Sequence, residues 1–275
     1  MKINDQIVKA YLENGNINEF RNAWYFTSST VAGDDGNNIF NEPKYDDEMK
    51  RKAELVCQSI KQVASDFLPS NLELWDTLFS DWRRILSEVS VDLIAGFPEP
   101  YDATVERDRY GVPHIVFDVI CWTKYVGNCN ILEVVQNLLT HELCHVLIGN
   151  SIANIDKDIE SKDYLTNLNA NAFHEAFAHL ISYETKEIHT IDWHTPRLEK
   201  VRIDSNQRLK EALAEKQPEL QQQNLYDAIC GNYYEKFACM SGMLYLAEVW
   251  EKGGKKALKE CFDEGYKDFV VKILK

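Results

Sequence analysis

The chain has 275 residues, 45% hydrophobic and 27% charged, which is enough for a large core in one domain or two lobes without any small-scaffold staple. Acids number 44 against 30 lysines and arginines, and the net charge of −14 repels phosphate backbones and anionic headgroups, so neither nucleic acid nor a membrane surface is expected as a partner. The seven cysteines, Cys57, Cys121, Cys129, Cys144, Cys230, Cys239 and Cys261, are odd in number and form no CxxC pair, which excludes a disulfide framework and points to a reduced protein.

The first residues, MKINDQIVKAYLENGN, lack an apolar core of signal-peptide length, and no window approaches the run of about 20 apolar residues that spans a bilayer, so a soluble, cytoplasmic protein is expected. Residues 1–88 read as a mostly helical N-terminal region. INDQIVKAYLENG has a helical period and a glycine stop. VAGDDGNNIFNEP (31–43) reads as a loop whose acids do not fit a calcium spacing. YDDEMKRKAELVCQSIKQVASDFL is an amphipathic helix ended by Pro69, and LELWDTLFSDWRRILSEV is another. From 89 the character changes: SVDLIAGF, ATVERD and PHIVFDVIC are short strands, with RDRYGVPH suiting a hairpin connection. Ile115, Phe117, Val119 and Cys121 share one face of the last strand, and Trp122 just beyond it reads as core.

A largely buried helix begins at Asn130, capped with Glu133, and stops at Gly149. It contains LLTHELCHVLIGN (138–150). His141 and His145 are four residues apart, so they lie one turn apart on one face and both imidazoles can address one ion. Glu142 follows the first histidine, which completes the HExxH arrangement of a zinc site with a general base. Two histidines and a glutamate in an apolar helix are costly to bury without a partner. Cys144 is turned about 60° from His141 and reads as packing.

A catalytic zinc site uses three protein ligands and an open position. The next helix, about 166–186, offers His174, Glu175 and His179 in NAFHEAFAHLISYE, and all three stay open as the third ligand. IHTIDWHTPR is a loop carrying His189 and His194, which read as exposed. Helices follow at about 197–216, 219–229 and 232–252, then two short ones after Gly253-Gly254. In the 232–252 helix, Tyr233 runs in line with Phe237, Met240 and Leu244, an apolar strip. Tyr234 runs with Ala238, Ser241 and Tyr245, a small and polar strip suited to a cleft.

An HExxH helix followed by a helix with HEAFA resembles the gluzincin metallopeptidases, which include thermolysin-like enzymes and the aminopeptidase and leukotriene-hydrolase group. That resemblance implies Glu175, 30 residues after His145, as the third zinc ligand beside His141 and His145. The segment NYYEKFACMSGM resembles the Tyr-Glu-Lys-Gly helix of the second group, implying that Tyr234 stabilises an oxyanion. His174 stands where those families carry Asn, and Phe237 where they carry Gly. A Gly-x-Met-Glu-Asn element before HExxH is missing, so aminopeptidase specificity is not implied.

The implied fold is α+β and predominantly helical, a zincin-like two-lobed fold with a small mixed sheet above the HExxH helix and a helical C-terminal lobe. The expected organisation is an N-terminal helical region (1–88), a small sheet plus HExxH helix (89–150) and a helical lobe with the third ligand (151–275), the last two forming one catalytic unit (89–275). The expected activity is zinc-dependent hydrolysis of a peptide or protein substrate, with Glu142 as general base. In zincin folds a peptide pairs with an edge strand, and PHIVFDVIC is equally suited to that task or to supporting the metal helix. Two alternatives share the motif: a zincin-fold binding or regulatory protein without turnover, and a zinc hydrolase acting on a non-peptide bond.

Overall fold

The computed structural model describes residues 1–28, 31, 37–99 and 101–275. The loop expected at 31–43 lies outside them over 32–36, as does any metal role for its acids there. In chain order the elements begin with β1 (Lys2–Asn4), α1 (Gln6–Asn14), α2 (Asp47–Ser65), α3 (Leu72–Leu78), α4 (Trp82–Glu88), β2 (Ser90–Ile94), β3 (Ala103–Arg107) and β4 (Pro113–Asp118). They continue with α5 (Ile131–Ser151), α6 (Ile155–Asp158), α7 (Tyr164–Ser182), α8 (Pro196–Ala214), α9 (Pro218–Ile229), α10 (Phe237–Glu264) and α11 (Phe269–Ile273). The fold is α+β and predominantly helical, with one four-stranded mixed sheet among the described residues. The chain forms two compact units, residues 1–68 with 83–143 and residues 69–82 with 144–275.

The first unit is built on the sheet, in the order β1-β2-β4-β3. β2 and β4 run parallel with Val91 beside Ile115, and the β3–β4 hairpin is antiparallel with Val105 beside Ile115. Every residue of β2 is buried, and Ile115, Val116 and Phe117 of β4 are fully enclosed. Because β4 is hydrogen-bonded on both sides, it has no edge to offer an extended peptide; the expectation of an edge strand is corrected, and β4 is a central support. β1 was expected to be helix and instead pairs parallel with β2, Ile3 beside Val91. Three residues show no readable alternation, and the partner that makes them a strand is remote in sequence. The buried Asp118 carboxylate closes the end of β4. Its Oδ2 accepts from Gly96 N and Phe97 N, each at 2.7 Å, and its Oδ1 from Ile120 N and Cys121 N, each at 2.9 Å. Trp122 follows in the core, its Nε1 donating to the Asp102 carbonyl at 2.9 Å.

In the second unit, α7 is the central helix. Asp163 caps it by accepting from Thr166 N at 2.9 Å. Phe173 and Phe177 on α7 pack with Phe262 of α10, and Phe173 also with Phe269 of α11, at ring separations of 4.8 to 5.8 Å. Gly242 lets α10 lie close on α7, because a Cβ there would stand 2.6 Å from the Ala176 Cβ. Asn71, buried and in the left-handed region at φ 59°, fastens the chain after α7. Its Nδ2 donates to the Ile181 and Lys186 carbonyls at 3.1 and 2.9 Å, and its Oδ1 accepts from Ile188 N at 2.6 Å.

Other expectations shift at element ends. LELWDTLFSDWRRILSEV forms two helices, α3 and α4, rather than one, with Trp82 Nε1 donating to Asp76 Oδ1 at 2.8 Å across the break. Gly149 does not stop α5, which runs to Ser151; its missing side chain makes room for the Asp156 carboxylate. Helix α5 also corrects the expectation that no segment has the make-up of a span. By length and composition alone it could cross a membrane, with a mean hydropathy of 1.2. Its apolar residues, among them Leu139, Leu143, Val146 and Ile148, are core residues of the fold. The helix expected from 232 begins at Phe237; Tyr233–Glu235 is a separate 3-10 turn.

Candidate metal centre

The division between the two units falls inside α5, after Leu143, and the helix is unbroken across it. His141 and His145 therefore ride on one rod, a turn apart, as their spacing requires. His141, Glu142 and His145 are each partly exposed, while Leu143 and Cys144 between them are buried. Cys144 is a packing residue, and burial holds its thiol far above the usual range, so it stays protonated.

On α7, Glu175 stands opposite His145, its Oε1 3.4 Å from His145 Nε2. Its Oε2 is 3.2 Å from His179 Nδ1 and 3.8 Å from Cys239 Sγ. His179 Nδ1 also lies 3.0 Å from the Glu175 carbonyl oxygen. With the proton on Nδ1, the lone pair sits on Nε2. His174 is buried and stacks on His145, with ring centres 4.4 Å apart and planes at 16°. Burial pushes the His174 pKa down to about 3, with His145 adding to the shift, and burial likewise lowers His145. Both rings are thus neutral at ordinary pH, the state in which an imidazole ligates a metal.

A family model described as "Putative zinc dependent peptidase (DUF5700)" matches residues 2–272. The chain belongs to this family. No curated protein and no solved structure matches the chain. The DUF5700 match takes in β1 and α1 as well as both histidine-bearing helices, a wider span than the 115–260 over which the gluzincin elements are recognisable.

The donor set fits the zinc in the DUF5700 description. Two ligands at about 2.1 Å from a tetrahedral ion stand roughly 3.4 Å apart. His145 Nε2 and Glu175 Oε1 have that separation, 3.4 Å. Nitrogen and carboxylate donors on two helices form the mixed set that zinc accepts.

Of the residues singled out in the sequence, His145, Glu175 and His179 stand together in the second unit, and His174 stacks on His145. Tyr234 does not sit as its helical phase suggested, because the 3-10 turn breaks phase with α10. Its hydroxyl is 3.1 Å from that of Tyr183, and the Arg197 guanidinium lies 3.9 Å over its ring. Tyr233, assigned to the core strip, is instead 40% exposed, with its ring centre 5.3 Å from that of His179. Burial and the neighbouring Tyr234 push the Tyr233 pKa up, so its hydroxyl stays a donor. Tyr245 packs edge-on against Phe269. His189 and His194 are on the surface, and His194 bridges Glu199 and Glu251 at 2.9 and 3.0 Å. Tyr233 and Cys239 are the neighbours of the ligand set that sequence reasoning missed. Only the break in helical phase would have exposed the first, and no sequence signal marks the second.

Proposed function

We propose that the chain is a zinc-dependent peptidase of the gluzincin type, with a zincin-like fold. His141, His145 and Glu175 would hold the ion. The single observation that carries the reading is the Glu175 carboxylate, 3.4 Å from His145 on the neighbouring helix. A bound zinc supplies Lewis acidity, polarising the scissile carbonyl and acidifying water.

The chain's own residues do the rest. Glu142, one residue after His141, accepts the proton of the attacking water on a carboxylate oxygen and passes it to the leaving amine. His174 presses flat on His145 and fixes the plane of that ring. His179 stands behind Glu175, where its Nδ1 limits the carboxylate's rotation. Tyr233, whose ring lies 5.3 Å from that of His179, would donate its hydroxyl to the carbonyl oxygen as it gains charge. The substrate is a peptide or protein, and the acidic, reduced chain acts inside the cell.

Glu142→Gln tests the reading. With zinc loaded, the variant is expected to keep its metal and to cleave a mixed peptide library about 10² to 10⁴ times more slowly than the wild type. A zinc-loaded wild type that cleaves nothing, or a variant with wild-type rates, contradicts it.

A further inference from the structure

A cavity of about 450 Å³ opens in the second unit, lined by α8, α9, the 233–235 turn and the first residue of α10. We infer that it receives a substrate side chain, and that this side chain is long and cationic, arginine or lysine. The inference rests on the peptidase reading and goes beyond it to substrate class.

Size and position come first. The volume lies within the roughly 300–1,000 Å³ of small-ligand sites. Phe237 lines the cavity, and two residues on, outside the lining, Cys239 Sγ lies 3.4 Å from the Ala228 carbonyl of α9 and 3.8 Å from Glu175 Oε2. Tyr234 lines it too, one residue after the tyrosine that stands beside His179.

The chemistry of the lining selects the occupant. Three carboxylates, Asp204, Asp227 and Glu235, line the cavity along with one guanidinium, that of Arg208. Arg208 is 3.4 Å from Asp227 and 3.7 Å from Glu211, so Asp227 is already compensated. Asp204 has no ion-pair partner among the described residues, and Glu235 is met by the uncharged Asn232 amide at 2.8 Å. Two carboxylates are left without a counter-charge. The rings add to this: Tyr234 carries the Arg197 guanidinium 3.9 Å above its face, and Phe237 has that of Arg208 at 5.7 Å. The rings suit the aliphatic stem of such a side chain, whose charge then lies toward the carboxylates.

Ser205 also lines the cavity, and its hydroxyl, which makes no hydrogen bond among the described residues, can accept from a ligand N–H.

The test compares peptides that differ only at one position, arginine or lysine against norleucine, with zinc-loaded wild type and the Asp204→Asn/Glu235→Gln double variant. Both positions are exposed, and unchanged circular dichroism would establish that the variant folds. The wild type is expected to prefer the cationic peptides by at least about tenfold in kcat/KM, and the double variant to lose most of that preference. Equal use of both peptides by the wild type, or an unaltered ratio in the variant, overturns the subsite while leaving the peptidase reading intact. Should no peptide be cleaved, the peptidase reading fails, and calorimetry with Nα-acetyl-arginine amide decides the cavity separately. Binding weakened about tenfold in the double variant supports it, and absence of binding to the wild type overturns it.

Discussion

His114 is held between two carboxylates on the sheet. Its Nδ1 meets the fully buried Asp92, its Nε2 lies 3.7 Å from Asp108, and Trp24 stands edge-on at 5.2 Å. Burial disfavours the charged ring, but the hydrogen bond and charge of Asp92, helped by Asp108, outweigh it and raise the pKa above 6.5. A raised folded-state value means that this contact stabilises fully below the unfolded value, and that the contribution is lost as pH rises through the folded one. Urea midpoints of the wild type, taken from about pH 6 to about pH 9, should therefore fall more steeply than those of His114→Gln. Parallel slopes would show that the ring carries no such charge. The two adjacent tyrosines offer a second contrast. Tyr233→Phe removes the hydroxyl of the ring beside His179 and should lower kcat about 10²-fold with little change in KM. Tyr234→Phe removes the partner of the Tyr183 hydroxyl, 3.1 Å away, and should cost kcat less. The reverse order would return the oxyanion role to Tyr234, the residue that the gluzincin resemblance marks.

Helices α5 and α7 carry the ligand candidates, and their relation depends on how α7 is held. Gly242 of α10 meets α7 where a Cβ would stand 2.6 Å from Ala176 and 3.2 Å from the Ala172 carbonyl oxygen. Glu175 is the residue before Ala176. Gly242→Leu should therefore destabilise the chain by about 1 to 3 kcal/mol and weaken zinc retention against a chelator. A variant that melts and holds zinc like the wild type would mean that this close approach does not position Glu175. The same elements show what could be read in advance. α5 was legible because a 3.6-residue period, the Asn130–Glu133 pair and the His141/His145 spacing all agree; in the structure Asn130 Nδ2 donates to Glu133 Oε1 at 2.8 Å. β2, β3 and β4 were legible from β-branched runs between glycines and prolines. β1 was not, because only its distant partner β2 makes it a strand. The 233–235 turn was not, because YYEKF fits a helical period although the backbone departs from it at Lys236, ψ 85°.

At the scale of the whole molecule, the family match over residues 2–272 and the His145, Glu175 and His179 side chains of the second unit agree with a zinc-binding chain. The N-terminal residues resembled no known element in the sequence, yet β1 completes the sheet that also contains β4. His141 and His145 were legible as a pair because helix geometry alone joins them. The placement of His174, Glu175 and His179 was not, because all three lie within six residues on α7 and only packing sets them apart: one ring stacks on His145, one carboxylate faces it, and one ring lies beside that carboxylate. Anomalous diffraction at the zinc edge from zinc-loaded crystals tests this assignment most directly. The expected result is one ion within about 2.3 Å of His141, His145 and the Glu175 carboxylate, with His179 outside the coordination shell. An ion held by His179 in place of His145, or no ion at Glu175, would contradict it.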